Sequence, residues 1–137
     1  MKIKILGVII VLILMSCTAD DPRIVTIQNA TVVNVVAPDT LRFNQTEVFQ
    51  VEYINPSDCH TFESFDVLGS EPDSKTIRTE TRFEETFDCN ETPTDIQTAE
   101  FQFLVETTDD HTFRFLRGAS ETGQLLYFTF NIPVKTE

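Results

Sequence analysis

Apolar and polar side chains alternate through most of this chain, and a period of two is the signature of half-buried β-strands. The stretch TEVFQVEYI, residues 46–54, places Phe49, Val51 and Tyr53 on one face. Residues 112–117 set Phe113 and Phe115 against Arg114. In residues 125–134, Leu126, Phe128, Phe130, Ile132 and Val134 oppose Tyr127, Thr129 and Asn131. Further strands are predicted at 30–36, nearly continuous valine stopped by Pro38-Asp39, and at 61–68, where Phe62, Phe65 and Val67 follow the Asn55-Pro56-Ser57 turn. Residues 75–83 alternate Ile77, Thr79, Thr81 and Phe83 with Thr76, Arg78, Glu80 and Arg82. Residues 100–106 alternate Phe101, Phe103 and Val105. Ile96, Ala99 and Phe103 also suit a helix from Thr94, but FQFLV is rich in strand formers, and Asp109-Asp110 then reads as a hairpin turn into Thr112. About seven or eight short strands bounded by turns predict an all-β chain folded as an antiparallel two-sheet sandwich.

The first residues obey a different rule. Lys2 and Lys4 precede an apolar run from Ile5 to Met15, too short for the roughly 20 residues of a membrane-spanning helix. The length suits the apolar region of a secretory leader, and the absence of a polar face argues against a buried core helix. Leu14-Met15-Ser16-Cys17 resembles the lipobox of bacterial lipoproteins, with Met15 the least typical residue. That resemblance implies a diacylglyceryl thioether on Cys17 and cleavage just before it. The chain then divides into a leader (1–16), a lipidated tether (17–22) and one folded domain (23–137). Asp20-Asp21 in the tether reads either as solvated linker or as the acidic export signal of some surface-displayed lipoproteins.

Cleavage removes two of 10 Lys+Arg and none of 22 Asp+Glu, leaving 8 against 22 and a formal charge of −14. Such a surface repels phosphate backbones, which excludes nucleic acid as a partner, and it gives no grip on anionic headgroups, so membrane attachment depends on the acyl chains. With Cys17 lipidated, Cys59 and Cys89 remain as an even pair in an oxidising compartment, and a disulfide is expected ahead of a metal pair or a reactive thiol. Cys59 follows a turn and Cys89 lies among acids, so the bond is expected to clamp loops at one end of the domain.

Groups for catalysis are few. His60 and His111 are the only imidazoles, and Ser57, Ser64, Ser70, Ser74 and Ser120 lack the glycines of a nucleophile elbow. Cys59-His60 would put its two side chains on opposite faces of a strand, and a disulfide would remove the thiolate. Asp58, Glu84, Glu85, Asp88 and Glu91 flank the cysteines, and a disulfide would draw them together. Asp58, Glu85, Asp88 and Glu91 are therefore weak candidates for calcium, set against solvated loop charge because no calcium-loop spacing is present. Asp109-Asp110-His111 is read first as a polar turn. Sugar binding wants exposed aromatic platforms, and the chain has no Trp and only Tyr53, expected in the core, and Tyr127, expected to point outward. Asp39-Thr40-Leu41 resembles an O-glycosylation signal of some exported proteins. No cofactor is implied.

Tyr53, Pro56, Cys59, Phe62, Phe65 and Cys89, then Phe113-Arg114-Phe115 with Gly118 and Gly123, resemble small immunoglobulin-like lipoproteins of unknown function from Gram-negative bacteria. The resemblance covers most of the mature chain and implies fold and location, although the buried Trp and tyrosine corner of true immunoglobulin domains are absent. The expectation is a non-catalytic structural or binding module, lipid-anchored at the outer membrane and facing the periplasm or the cell surface, with a protein partner in the envelope. Two other readings stand beside it: a calcium- or small-ligand-binding domain built on the acidic loops, and a protease-inhibitor-like protein binder.

Overall fold

The computed structural model describes residues 25–85 and 88–136. The leader, the lipidated cysteine and the tether expected at 17–22 lie outside the described residues.

In chain order the strands are β1 (Thr26–Asn29), β2 (Thr31–Val36), β3 (Leu41–Arg42), β4 (Thr46–Ile54), β5 (His60–Leu68), β6 (Ser74–Phe83), β7 (Ile96–Leu104), β8 (His111–Ala119), β9 (Leu125–Ile132) and β10 (Val134–Lys135). The described residues are all-β, with no helix; the helical alternative at Thr94 gives way to β7. Ten strands stand where seven or eight were expected, because β1 precedes the first predicted segment, the last one divides into β9 and β10, and the short β3 pairs with β10.

Five strands (β1, β5, β6, β8 and β9) form one sheet, and β2, β4 and β7 form a second. β6 is the hub of the larger sheet. β5 pairs antiparallel along one edge of it, from His60 opposite Phe83 to Leu68 opposite Thr76. The other edge is shared by β1, antiparallel opposite residues 80–83, and β8, parallel opposite residues 74–77. The purely antiparallel expectation is therefore corrected at two places, β6–β8 and β3–β10, which run parallel. The Asp109-Asp110 hairpin is corrected as well. β7 pairs with β4 and β8 with β6 and β9, so the segment between β7 and β8 carries the chain from one sheet to the other. Between β1 and β2 the chain makes the same kind of crossing, with the Ala30 N–H donating to the Thr79 carbonyl (2.8 Å).

The inner faces meet through aromatic rings. Phe49 on β4 lies 4.8 Å from Phe113 and 5.6 Å from Phe115 on β8, and Phe101 and Phe103 on β7 touch Phe115 and Phe113 at 5.8 and 5.0 Å. Phe49, Phe113 and Phe115 are fully buried, with Val32, Val51, Ile77, Leu41 and Val105 around them. Tilted and edge-on rings at these spacings are the favoured arrangement for aromatic pairs.

Three bulges adjust which residues face inward. An extra residue at Val33 lets Val32 and Val35 both be buried although they are three apart. The bulge at Glu63 likewise brings Phe62 and Phe65 together, 5.1 Å between ring centroids. Arg117 is the extra residue in β8, followed by Gly118 at φ 144°, a value that side chains other than glycine rarely adopt. Among the described phenylalanines, Phe43 and Phe62 are the exposed exceptions, at 38% and 41%. Phe43 falls in the turn after β3, and Phe62 sits on an edge strand where the inner face meets solvent.

Candidate functional site

Of the residues singled out in the sequence, Asp58, Cys59, His60 and Cys89 come together at the end of the domain where β4 turns into β5. Asn55 and Ser57 shape this turn. The Asn55 amide donates to the His60 carbonyl (2.9 Å), the His60 N–H to the Ser57 carbonyl (3.2 Å), and the Cys59 N–H to the Ser57 hydroxyl (3.3 Å). Cys59 is disulfide-bonded to Cys89 in the loop between β6 and β7, with Cα atoms 5.5 Å apart. Hydrogen bonds run beside the covalent link. The Asp58 N–H donates to the Asn90 carbonyl (3.1 Å), the Asn90 N–H to Asp58 Oδ1 (2.7 Å), and the Glu84 N–H to the Cys59 carbonyl (3.0 Å). The disulfide therefore ties two loops at one end, as the positions of its cysteines suggested.

Among the described residues, the grouping of potential metal-ligand atoms is Asp58, Cys59 and Cys89, mutually within 4.8 Å. Two of those donors are disulfide sulfurs, and metal binding needs thiolates. The Asp58 carboxylate already accepts from the Asn90 backbone. Glu85, Asp88 and Glu91 are exposed and do not join this grouping. Glu84 and Glu85 lie just past the end of β6.

His60 has a different partner from the one its neighbour Cys59 suggested. Its Nδ1 is 2.7 Å from the Ser57 hydroxyl and its Nε2 3.0 Å from Gln28 Oε1 on β1, with the Phe83 ring alongside at 5.1 Å. Because the Gln28 Oε1 can only accept, Nε2 carries the ring proton and donates to it, and Nδ1 of the neutral ring then accepts from the Ser57 hydroxyl. Burial lowers the His60 pKa from its ordinary 6.5, opposed by a hydrogen bond to the Ser57 backbone. Ser57 is 4% exposed and His60 6%, so the hydroxyl–imidazole contact locks the turn against β1 out of reach of a solute. Gln28 lies 32 residues from His60, and no local sequence signal marks the contact.

His111 is buried too. Its Nδ1 faces the Asp109 backbone carbonyl at 2.7 Å rather than a carboxylate, and its ring stacks on Phe113 and meets Phe103 edge-on. The Asp109-Asp110-His111 segment thus closes the crossing between the sheets. Tyr53 is buried, and burial raises its pKa above 10. Tyr127 points the other way, half-buried, with the Arg114 guanidinium carbon 5.5 Å from its ring centre. Thr40 is half-buried in the segment before β3.

No family model, no curated protein and no solved structure matches the chain.

Proposed function

We propose that this chain is a lipid-anchored, non-catalytic structural or binding module of a bacterial envelope, held at the outer membrane by acyl chains on Cys17 and facing the periplasm or the cell surface. The Cys59–Cys89 bond is the observation that carries the reading. Disulfides persist in oxidising compartments, which fits export, and this one leaves Cys17 as the third cysteine with no cysteine partner in the chain. That unmatched thiol is the one placed in Leu14-Met15-Ser16-Cys17 behind a charged and apolar leader. Two acyl chains at about 0.8 kcal/mol per buried methylene hold a protein to a bilayer, whereas a single chain holds it only marginally. The domain on this anchor is read as an immunoglobulin-like β-sandwich, a reading supported by the rings that meet between the two larger sheets.

Fatty-acid labelling of cells expressing the full chain, followed by fractionation and intact mass, tests the anchor. The expected product starts at Cys17, carries the added lipid mass and stays with the membrane, while Cys17→Ser remains unlabelled and leaves the membrane fraction. An exported protein with an unmodified Cys17 thiol would refute the proposal. The non-catalytic half of it is exposed to any turnover that disappears on changing His60 or His111.

A further inference from the structure

The acidic chain uses its described arginines unevenly. Arg42 pairs with Glu47, Arg78 with Asp66 and Arg82 with Glu63. Arg114 has no carboxylate partner among the described residues; its contact is the face of Tyr127. Arg117 rests similarly on Phe128, and Arg114 lines a groove. This groove, about 360 Å³, lies on the outer face of the larger sheet under the β5–β6 loop and is lined by Ser70, Glu71, Ser74, Thr76, Arg114 and Tyr127.

Its shape is built into the fold. Arg114 stands between Thr76 of β6 and Thr129 of β9 in register, so all three share one face. The wall is the loop entered at Gly69, where φ is +120° and a Cβ would lie 2.6 Å from the Ser74 carbonyl oxygen. Only glycine lets the loop fold back this closely, and the Lys75 ammonium donates to the Gly69 carbonyl (3.2 Å) as a second pin.

We propose that this groove binds a carboxylate-bearing sugar, a hexuronate unit either free or within an acidic polysaccharide. The guanidinium fork suits a carboxylate bidentately, and the Tyr127 face holds it in place by cation–π contact. Ser70, Ser74, Thr76 and Glu71 in the lining are residue types that donate to and accept from a ligand ringed with hydroxyl groups. Glu71 and the formal charge of −14 on the cleaved chain oppose a phosphate dianion at the same place more strongly than a monoanion. The proposal rests on the reading of the domain as a binding module and names its ligand.

The test is calorimetric titration of the full chain in detergent micelles with sodium galacturonate, an oligogalacturonate, glucose and inorganic phosphate. Saturable binding of the uronate is expected, with glucose much weaker. Tighter binding of the oligomer than of the monomer would identify a polysaccharide as the source, and equal binding per unit the free sugar; both support the site. Arg114→Gln should weaken binding roughly tenfold or more, Arg114→Lys less than that, and Arg117→Gln should leave it unchanged. Thermal melts of each variant check that the fold is intact. Equal affinity for glucose and galacturonate, phosphate binding tighter than uronate, undiminished binding by Arg114→Gln, or no uronate binding at millimolar concentrations would each overturn the site. Recovery of the sugar unchanged supports the site and the non-catalytic reading together, whereas its conversion supports the site and refutes that reading. The state of Cys17 is read in a separate experiment, so failure here leaves the anchor untouched.

Discussion

Glu47 and His60 show how single polar side chains hold the ends of this fold. Glu47 is buried at the rim of the core, where one carboxylate oxygen accepts from both the main-chain N–H (3.1 Å) and Nε (2.9 Å) of Arg42. The Arg42 side chain is 67% exposed, so solvent screens the ion pair, and the bond to the β3 backbone is the stronger part. Glu47→Ala should cost about 2 kcal/mol in urea unfolding, because it removes the acceptor that the Arg42 N–H and Nε share and loosens the hold on β3. His60 supplies a pH signature. Its folded pKa is below the ordinary 6.5, so the unfolded chain takes up the proton first. Its neutral form therefore keeps full stability above about pH 6.5, and stability falls as the pH drops below that value. Melting curves between pH 8 and pH 5 should show wild type losing stability relative to His60→Asn, and parallel curves would show that the ring is not held neutral.

At the scale of elements, the two disulfide-linked loops behave as one unit. The bond closes a span of 30 residues, worth about 3–4 kcal/mol on chain-entropy grounds. Changing Cys59 and Cys89 to serine together should lower stability by about that amount in denaturant titrations, with an equal effect from reductant on wild type. Faster hydrogen exchange is expected first at Asp58 and Asn90, whose amides bond across the linked loops. Elsewhere the strands owe their inward residues to bulges. Val32 and Val35, and Phe62 and Phe65, are three apart, and alternation alone would send the members of each pair to opposite faces.

The whole molecule depends on a phenylalanine core shared by both larger sheets. Phe49 is its centre, in ring contact with Phe101, Phe113 and Phe115. Phe49→Ala should cost about 3–5 kcal/mol, a large part of the total stability of a domain this size, and a scanning calorimetry trace should show a greatly lowered or missing transition. A loss below about 1 kcal/mol would mean that the sheets do not depend on this cluster.

By itself the sequence determined the seven long strands, though not β1 or β3, and for most of their residues which side of the strand they occupy. Those properties follow from a local period of two, and β4 shows it in Phe49, Val51 and Tyr53, all buried. Counting cysteines also anticipated Cys59–Cys89. Strand partnership was decided only in the tertiary structure. Backbone N–H and C=O groups are alike in every strand, so nothing local marks β8 as parallel to β6 or sends β7 and β8 to different sheets. The Ser57–His60–Gln28 contact and the Arg114 groove were hidden for the same reason: each joins residues far apart in the chain, and only packing brings them within reach.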